Sequence, residues 1–306
     1  MSQEHDPRRI VSWRRRWIAA FLMVFLATSR PAVGGEGLLQ AARTDVREPS
    51  IPEPSQPAEE RRRNTSRRPD EESPYDESST ESPFKNWLLP AAFGLGMVAA
   101  SPILGPRYLL LDEGDVGHYP RFPYEGGLPG YLMIEPEVPL DGFPWSTRIR
   151  TEYADNFDDL SLIGGRLLYE LSTPRFGADV AMNYRREALA AGAHDSVWTG
   201  DTNLVYRFAQ SENWQFRAGV GANWLADSRN TEWGYNLTYQ FDWFPSQPWV
   251  ISAELDWGEV GHAHLLHLRS TIGCQIRGVE VYTGYDHFDL GPSVLNGLVA
   301  GLEFWF

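Results

Sequence analysis

Among the titratable side chains of the C-terminal third are Asp256, Glu259, His262, His264, Asp286, His287 and Asp289. An imidazole titrates near neutrality, so beside a carboxylate it can pass a proton or bind a metal ion. His262, His264, Asp286 and His287 are therefore the candidate catalytic residues. Their spacing is not that of a metal signature such as HExxH. No phosphate loop and no G-x-S-x-G nucleophile turn accompanies them. The plainer reading is an acidic, His-containing rim without chemistry. The expectation is accordingly no enzyme, no cofactor and no resident metal, with a rim hydrolase as an alternative. His267 stands apart, because its parity points it inward, near Glu254 and Arg269, as a hydrogen-bond partner.

The elements that must position these groups show in "EWGYNLTYQFDWFP", residues 232–245. Trp233, Tyr235, Leu237, Tyr239, Phe241 and Trp243 alternate with Gly234, Asn236, Thr238, Gln240 and Asp242. A period of two is a strand with two unlike faces. Segments of this kind recur at 147–156, 160–172, 176–187, 197–209, 213–225, 232–243, 248–258, 263–276, 279–287 and 296–306. Tight connectors ("TPR", "QSE", "FPSQP", "RG") alternate with longer ones ("EALAAGAHDS", "ADSRNT", "FDLGPSV"). Short turns at one end and longer loops at the other predict an all-β, up-and-down antiparallel transmembrane β-barrel of about ten strands. Twelve is the alternative, if 107–112 and 130–135 join. This places the His/Asp group at the long-loop rim.

The residues on each face of these strands decide its surroundings. Tryptophan, tyrosine and phenylalanine cluster at both strand ends, with Val180, Leu204, Val220, Leu237 and Leu268 between them. Two aromatic girdles around an aliphatic belt suit the two interfaces of a bilayer. The other face mixes glycine with arginine and acids, including Glu152, Arg166, Glu170, Asp179 and Arg207. A lumen network is predicted from Arg148, Arg150, Arg217, Asp242, Glu254, His267, Arg269, Glu280 and Glu303. In a closed ten-strand barrel Arg148 and Arg150 come opposite Glu303, and Glu280 faces Glu303. The seam arginines are then expected to separate those two carboxylates. Arg217 reaches Asp242, and Arg269 reaches Glu254 or Asp286.

The chain ends in "VAGLEFWF". With Leu298, Ala300, Leu302, Phe304 and Phe306 on one face, it resembles the C-terminal strand of bacterial outer-membrane β-barrel proteins. That resemblance implies an assembly signal at Phe304 and Phe306, read by the barrel-assembly machinery.

A net charge of −14 argues against nucleic-acid partners. The single cysteine, Cys274, leaves no internal disulfide and no Cys-based zinc site. Basic residues precede the apolar run 18–29 and small residues follow it, so 1–34 reads as a signal peptide, with an uncleaved anchor as the alternative. Residues 35–85, rich in Pro, Glu, Arg and Ser, are expected to be a disordered spacer. Residues 86–145 read as an apolar segment (87–104) and a Pro/Gly-rich loop region, and 146–306 as the barrel. The predicted location is the cell outer membrane, with its lipid and the assembly machinery as partners. The predicted role is structural or surface-interaction, with a lumen largely filled by side chains. A narrow diffusion or transport channel is the alternative, and a rim enzyme the second.

Overall fold

A strand with one apolar and one charged face needs two different surroundings, and a sheet closed on itself supplies them. The computed structural model describes residues 37–48, 103, 105–108, 112, 117–134 and 142–306. Its strands are β1 (Trp145–Asp155), β2 (Leu160–Leu171), β3 (Phe176–Ala188), β4 (His194–Ser211), β5 (Trp214–Ala226), β6 (Thr231–Ser246), β7 (Trp249–Val260), β8 (Ala263–Ile276), β9 (Val279–Leu290) and β10 (Ser293–Trp305). Each pairs antiparallel with the next, and β1 pairs with β10, closing a ten-stranded barrel.

All ten predicted segments are present. β4 and β6 run past the predicted 197–209 and 232–243. Ladder hydrogen bonds continue where side-chain alternation has already ended, so the pattern alone stops short. The twelve-strand alternative is corrected. Met133 makes one isolated bridge to His118, and residues 105–108 are helical. Neither segment enters the ring, because β1 and β10 already satisfy each other's edges.

The expectation of disorder across 35–85 is corrected at its start. Leu38–Arg47 forms a helix, α1, while the span beyond Glu48 lies outside the described residues. Average composition hides this short element. Leu39, Ala42 and Val46 recur at helical spacing and are buried, whereas Gln40 and Thr44 are exposed. So short a helix is marginal alone in water, so it depends on a surface to pack against. That surface is the inward face of the barrel at its long-loop end: Leu160, Val197, Leu225, Leu265, Leu290 and Leu295. Gly37 offers no side-chain cap. Instead the Leu38 and Leu39 N–H groups donate to the two carboxylate oxygens of Glu187, at 2.6 and 2.9 Å. At the other end of α1 the His262 N–H donates to the Val46 carbonyl at 2.9 Å.

Residues 117–134 pack at the short-turn end. Tyr119, Tyr124, Tyr131 and Leu132 bury themselves against Phe244, Val250 and Trp305. The Tyr124 hydroxyl donates to the Trp249 carbonyl at 2.5 Å, and the Tyr131 hydroxyl lies 2.5 Å from Ser146 Oγ. Gly130 permits the approach, since a Cβ there would sit 1.8 Å from the Glu212 carbonyl oxygen. This part of 86–145 is a packed element, not an open loop. Residues 1–34, and 87–104 apart from Ile103, lie outside the described residues. Among those described, no helix is long and apolar enough to cross a membrane, which says nothing of strands.

Barrel closure has a direct check. Thr151 and Leu302 are register partners on the outer face of the seam. Antiparallel partners stand about 4.5–5.5 Å apart at Cα, within disulfide reach. In a Cys274→Ser background, Thr151→Cys with Leu302→Cys is expected to cross-link on oxidation. The product should keep fast mobility on a non-reducing gel after boiling. Failure to cross-link would mean the sheet does not close in this register.

Candidate functional site

Inward positions of the ten strands bring opposite charges together at three levels. Nearest the short turns, Glu170 Oε1 accepts from Arg217 Nε at 2.7 Å and from Arg207 Nη1 at 3.1 Å. Asp242 Oδ2 accepts from Arg217 Nη1 at 2.6 Å, and Arg148 Nη2 lies 2.9 Å away. Ser252 Oγ takes the other Asp242 oxygen at 2.7 Å. Arg217 is thus a hub between two carboxylates and is completely buried. Its flat fork suits this, because each edge presents donors in a fixed direction.

At mid-height Arg166 forks onto Asp179 and also reaches Glu254. Gln240 Nε2 donates to Asp179 Oδ2 at 2.6 Å. Above this, Arg269 pairs with Glu152, and its Nε lies 3.2 Å from Asp286 Oδ1. The Tyr282 hydroxyl donates to Glu152 Oε2 at 2.8 Å. His267 lies between two carboxylates, with Nδ1 3.1 Å from Asp256 and Nε2 2.7 Å from Asp286. Arg185 stacks over Phe288, 4.2 Å from the ring centre, with Asp286 at 3.8 Å. Small residues make room for these heads. A Cβ at Gly273 would stand 1.9 Å from Glu280 Oε1. Two small cavities remain between the side chains, of ≈ 20 and ≈ 30 Å³.

The predicted contacts fare unevenly. Arg217 meets Asp242 as expected, and Arg269 meets Asp286. Arg150 is opposite Glu303, and Glu303 opposite Glu280, as expected, whereas Arg148 is opposite Trp305 instead of Glu303. The arginines do not separate those two carboxylates, however. Arg148 Nη1 stays 3.7 Å from Glu303 while its other nitrogen goes to Asp242, and Arg150 turns toward Glu254. Glu280 Oε2 is buried without a hydrogen-bond partner among the described residues. Acceptors across the lumen outcompete the neighbour in the sheet, since a long guanidinium stem crosses the interior more easily than it folds back. His267 points inward as expected, and its hydrogen-bond partners are Asp256 and Asp286.

The His/Asp rim comes apart. Asp286 has inward parity and belongs to the lumen network. His264 is 83% exposed beside Glu259, and His262 is exposed. His287 is buried on outward parity, opposite Leu268 and Asn296. Among the described residues no group of three or more His, Cys, Asp or Glu could hold a metal ion. Sequence reasoning missed Arg185, Glu187 and Tyr282. Parity was the available signal, since 185 and 187 share the inward set of Asp179, and 282 that of Glu280.

A separate set of charges fastens α1. Arg43 pairs with Asp195, and Arg47 Nη2 lies 3.0 Å from Asp227 in the β5–β6 loop. The Arg47 guanidinium beside it, helped by the Arg229 and Asn230 N–H groups at 2.8 and 3.0 Å, holds the Asp227 carboxyl well below the usual range. Burial pushes Asp45 the other way, with Glu48 adding to it.

The outer face is apolar and exposed. Leu204 at 58% and Val220 at 59% lie in its middle. Trp145, Phe176, Tyr206 and Trp249 flank it toward the short turns, and Tyr153, Trp198, Trp233 and Trp257 toward the long loops. Phe306 is exposed and joined to Thr147 through two backbone hydrogen bonds, while Phe304 is half-buried.

No family model and no curated protein matches the chain. Among solved structures it is similar to the beta domain of the Bordetella autotransporter Brka, at 11% identity and a TM-score of 0.32, covering 53% of this chain and 99% of that one.

Two outcomes are expected. Arg217→Ala should lower barrel stability by about 3–5 kcal/mol, because it takes the shared guanidinium from two buried carboxylates, Glu170 and Asp242. Asp242→Asn should then cost less in the Arg217→Ala protein than alone, as read from denaturant midpoints in detergent micelles. Additive losses would mean the two side chains are not coupled. The second concerns pH. A depressed Asp227 pKa stabilises the docked helix above the ordinary carboxylate range, and this is lost as pH falls through the depressed value. Asp45, with its pKa raised, favours docking when protonated and so opposes the loss. A spin label at Gln40→Cys, with Cys274→Ser, should be immobile at neutral pH and loosen below about pH 4. In Asp227→Asn the helix should already be looser at neutral pH and the acid step smaller. An unchanged step would remove the Arg47–Asp227 pair as its cause.

Proposed function

We propose that this chain is an outer-membrane β-barrel with a structural or surface-interaction role and a lumen that conducts little. One observation carries the reading: the burial pattern is inverted. Aliphatic side chains in the middle of the strands face out and are exposed, while arginines and carboxylates are buried inside. A continuous exposed apolar belt of this kind is a liability in water and an asset in lipid. The aromatic flanks give it two interfaces.

The non-conducting part rests on the interior. Ten strands enclose little more space than the eight that side chains already fill. Ion pairs cross it at three levels, α1 packs at one end, and the Tyr119–Tyr131 cluster at the other. The interaction part rests on the long-loop end. Phe157 stands 79% exposed at a turn tip with φ 63°. A bulky residue held in the left-handed region, fully in solvent, suits a contact better than a fold requirement.

Export by residues 1–34, assembly through the Phe304/Phe306 strand and the absence of chemistry at the His/Asp rim belong to the same reading. Planar-bilayer recording decides it. The folded, heat-modifiable protein is expected to show at most a small-ion leak. A large, stable conductance would instead make it a channel. Loss of heat-modifiable mobility with partition into the aqueous phase would refute the membrane assignment.

A further inference from the structure

We propose that residues 87–104 cross the bilayer outside the barrel, lying along the outer face of β4 and β5 as an eleventh span. This rests on the membrane reading above and on where the chain leaves and rejoins the barrel. α1 packs on inward side chains at the long-loop end, and Arg47 lies 3.0 Å from Asp227 of the β5–β6 loop. Glu48, the next residue, is exposed. The chain rejoins at the opposite end. Asp112 meets Arg175 of the β2–β3 turn at 3.2 Å and accepts from the Gln210 N–H, near the β4–β5 turn, at 3.0 Å. The Asp112 N–H donates to the Arg107 carbonyl at 3.1 Å, so Arg107 and Asp112 both belong to the short-turn end. Residues 49–102 therefore have to join one side of the barrel to the other.

The lumen offers them no route. In the ring β1 is diametrically across from β6, and β2 from β7. Arg148 of β1 nonetheless reaches Asp242 of β6 at 2.9 Å, and Arg166 of β2 pairs with Glu254 of β7. Arg217 with Glu170 and Arg269 with Glu152 fill the space to either side. The cavities left between these side chains, ≈ 20 and ≈ 30 Å³, admit roughly one or two waters and no main chain. The wall has no slot either, since every strand is paired on both sides. The connection then runs outside.

Outside the wall is lipid, which an uncharged stretch crosses at least cost. Residues 49–86 carry acids and arginines throughout, whereas "WLLPAAFGLGMVAASPIL", 87–104, has no charge. As a helix it reaches about 27 Å, against an apolar band about 25 Å tall on barrels of this kind. Its prolines, Pro90 and Pro102, stand near its two ends. Lys85 and Trp87 at one end, with Arg107 and Tyr108 at the other, are the residue types that anchor a span at its interfaces. Between the exit beside Asp227 and the return beside Gln210 lies β5, with β4 next to it. Their outer face sets Thr202, Ala218 and Ala222 around Leu204 and Val220. Ala92, Gly96 and Ala99 recur at helical spacing on the crossing stretch. Small residues on both partners permit the close approach by which segments associate in lipid.

The test uses the full Cys274→Ser chain in the outer membrane of intact cells, with single cysteines and a maleimide too large for outer-membrane pores. Phe157→Cys in a long loop and Arg277→Cys in a short turn report on the barrel itself. The first should react on intact cells, the second only once the outer membrane is opened with EDTA. Ser66→Cys should then behave like Phe157→Cys, and Arg121→Cys like Arg277→Cys. Ala99→Cys should stay silent in both conditions and react only in protein unfolded with SDS. Ser66→Cys silent on intact cells, Arg121→Cys reactive on them, or Ala99→Cys reactive before unfolding each overturns the crossing while the barrel stands. Phe157→Cys and Arg277→Cys that do not differ would refute the membrane reading, and the crossing with it.

Discussion

A guanidinium or carboxylate taken out of water is tolerated only beside its opposite, and the interior of this barrel is organised around that requirement. Arg217 between Glu170 and Asp242, Arg166 between Asp179 and Glu254, and Arg269 between Glu152 and Asp286 each join strands distant in sequence. Such contacts tie register to charge. Slipping one strand by a residue would turn its arginine outward onto the apolar belt and bring an aliphatic side chain into the charged interior. The ladder and the network therefore enforce the same alignment, one through backbone bonds and the other through side chains.

The two ends of the lumen are treated differently from its middle. At the long-loop end charge gives way to leucine and valine, which α1 covers, and carboxylates appear only at its edge to meet Arg43, Arg47 and the first N–H groups of the helix. At the short-turn end aromatic rings take over, with Arg207 and Arg148 lying against Tyr119 and Trp305 at 5.0 and 4.6 Å from the ring centres. Those contacts carry Arg207 and Arg148 from ion pairs into apolar packing.

Barrel, strand number and facing were legible in the sequence because a period of two recurs ten times, with its own punctuation. The lumen set was legible as a set: every residue assigned to it has inward parity. Who pairs with whom was not. Arg150 is beside Glu303 in the ladder yet leans to Glu254, and His267 chooses Asp256 and Asp286. A long side chain selects partners across the barrel, and strand order carries no record of those distances. Asp286 reads as a rim residue because it lies at the end of the 279–287 segment, although its even number shares the parity of Glu280. α1 escaped for another reason. Three apolar residues in a polar stretch mean little until the surface that receives them is known.

The ladders of this barrel are not equal. β1 and β10 share eight paired positions, against twelve between β9 and β10 and thirteen between β3 and β4. Beside that short ladder lie Glu280, whose Oε2 is buried without a hydrogen-bond partner among the described residues, and Glu303, 3.7 Å from Arg148. By paired positions the join is thus the shortest ladder in the wall, just below the nine of β6 and β7. Under lateral tension the cylinder is a sheet with one clasp, where the fewest ladder positions resist opening.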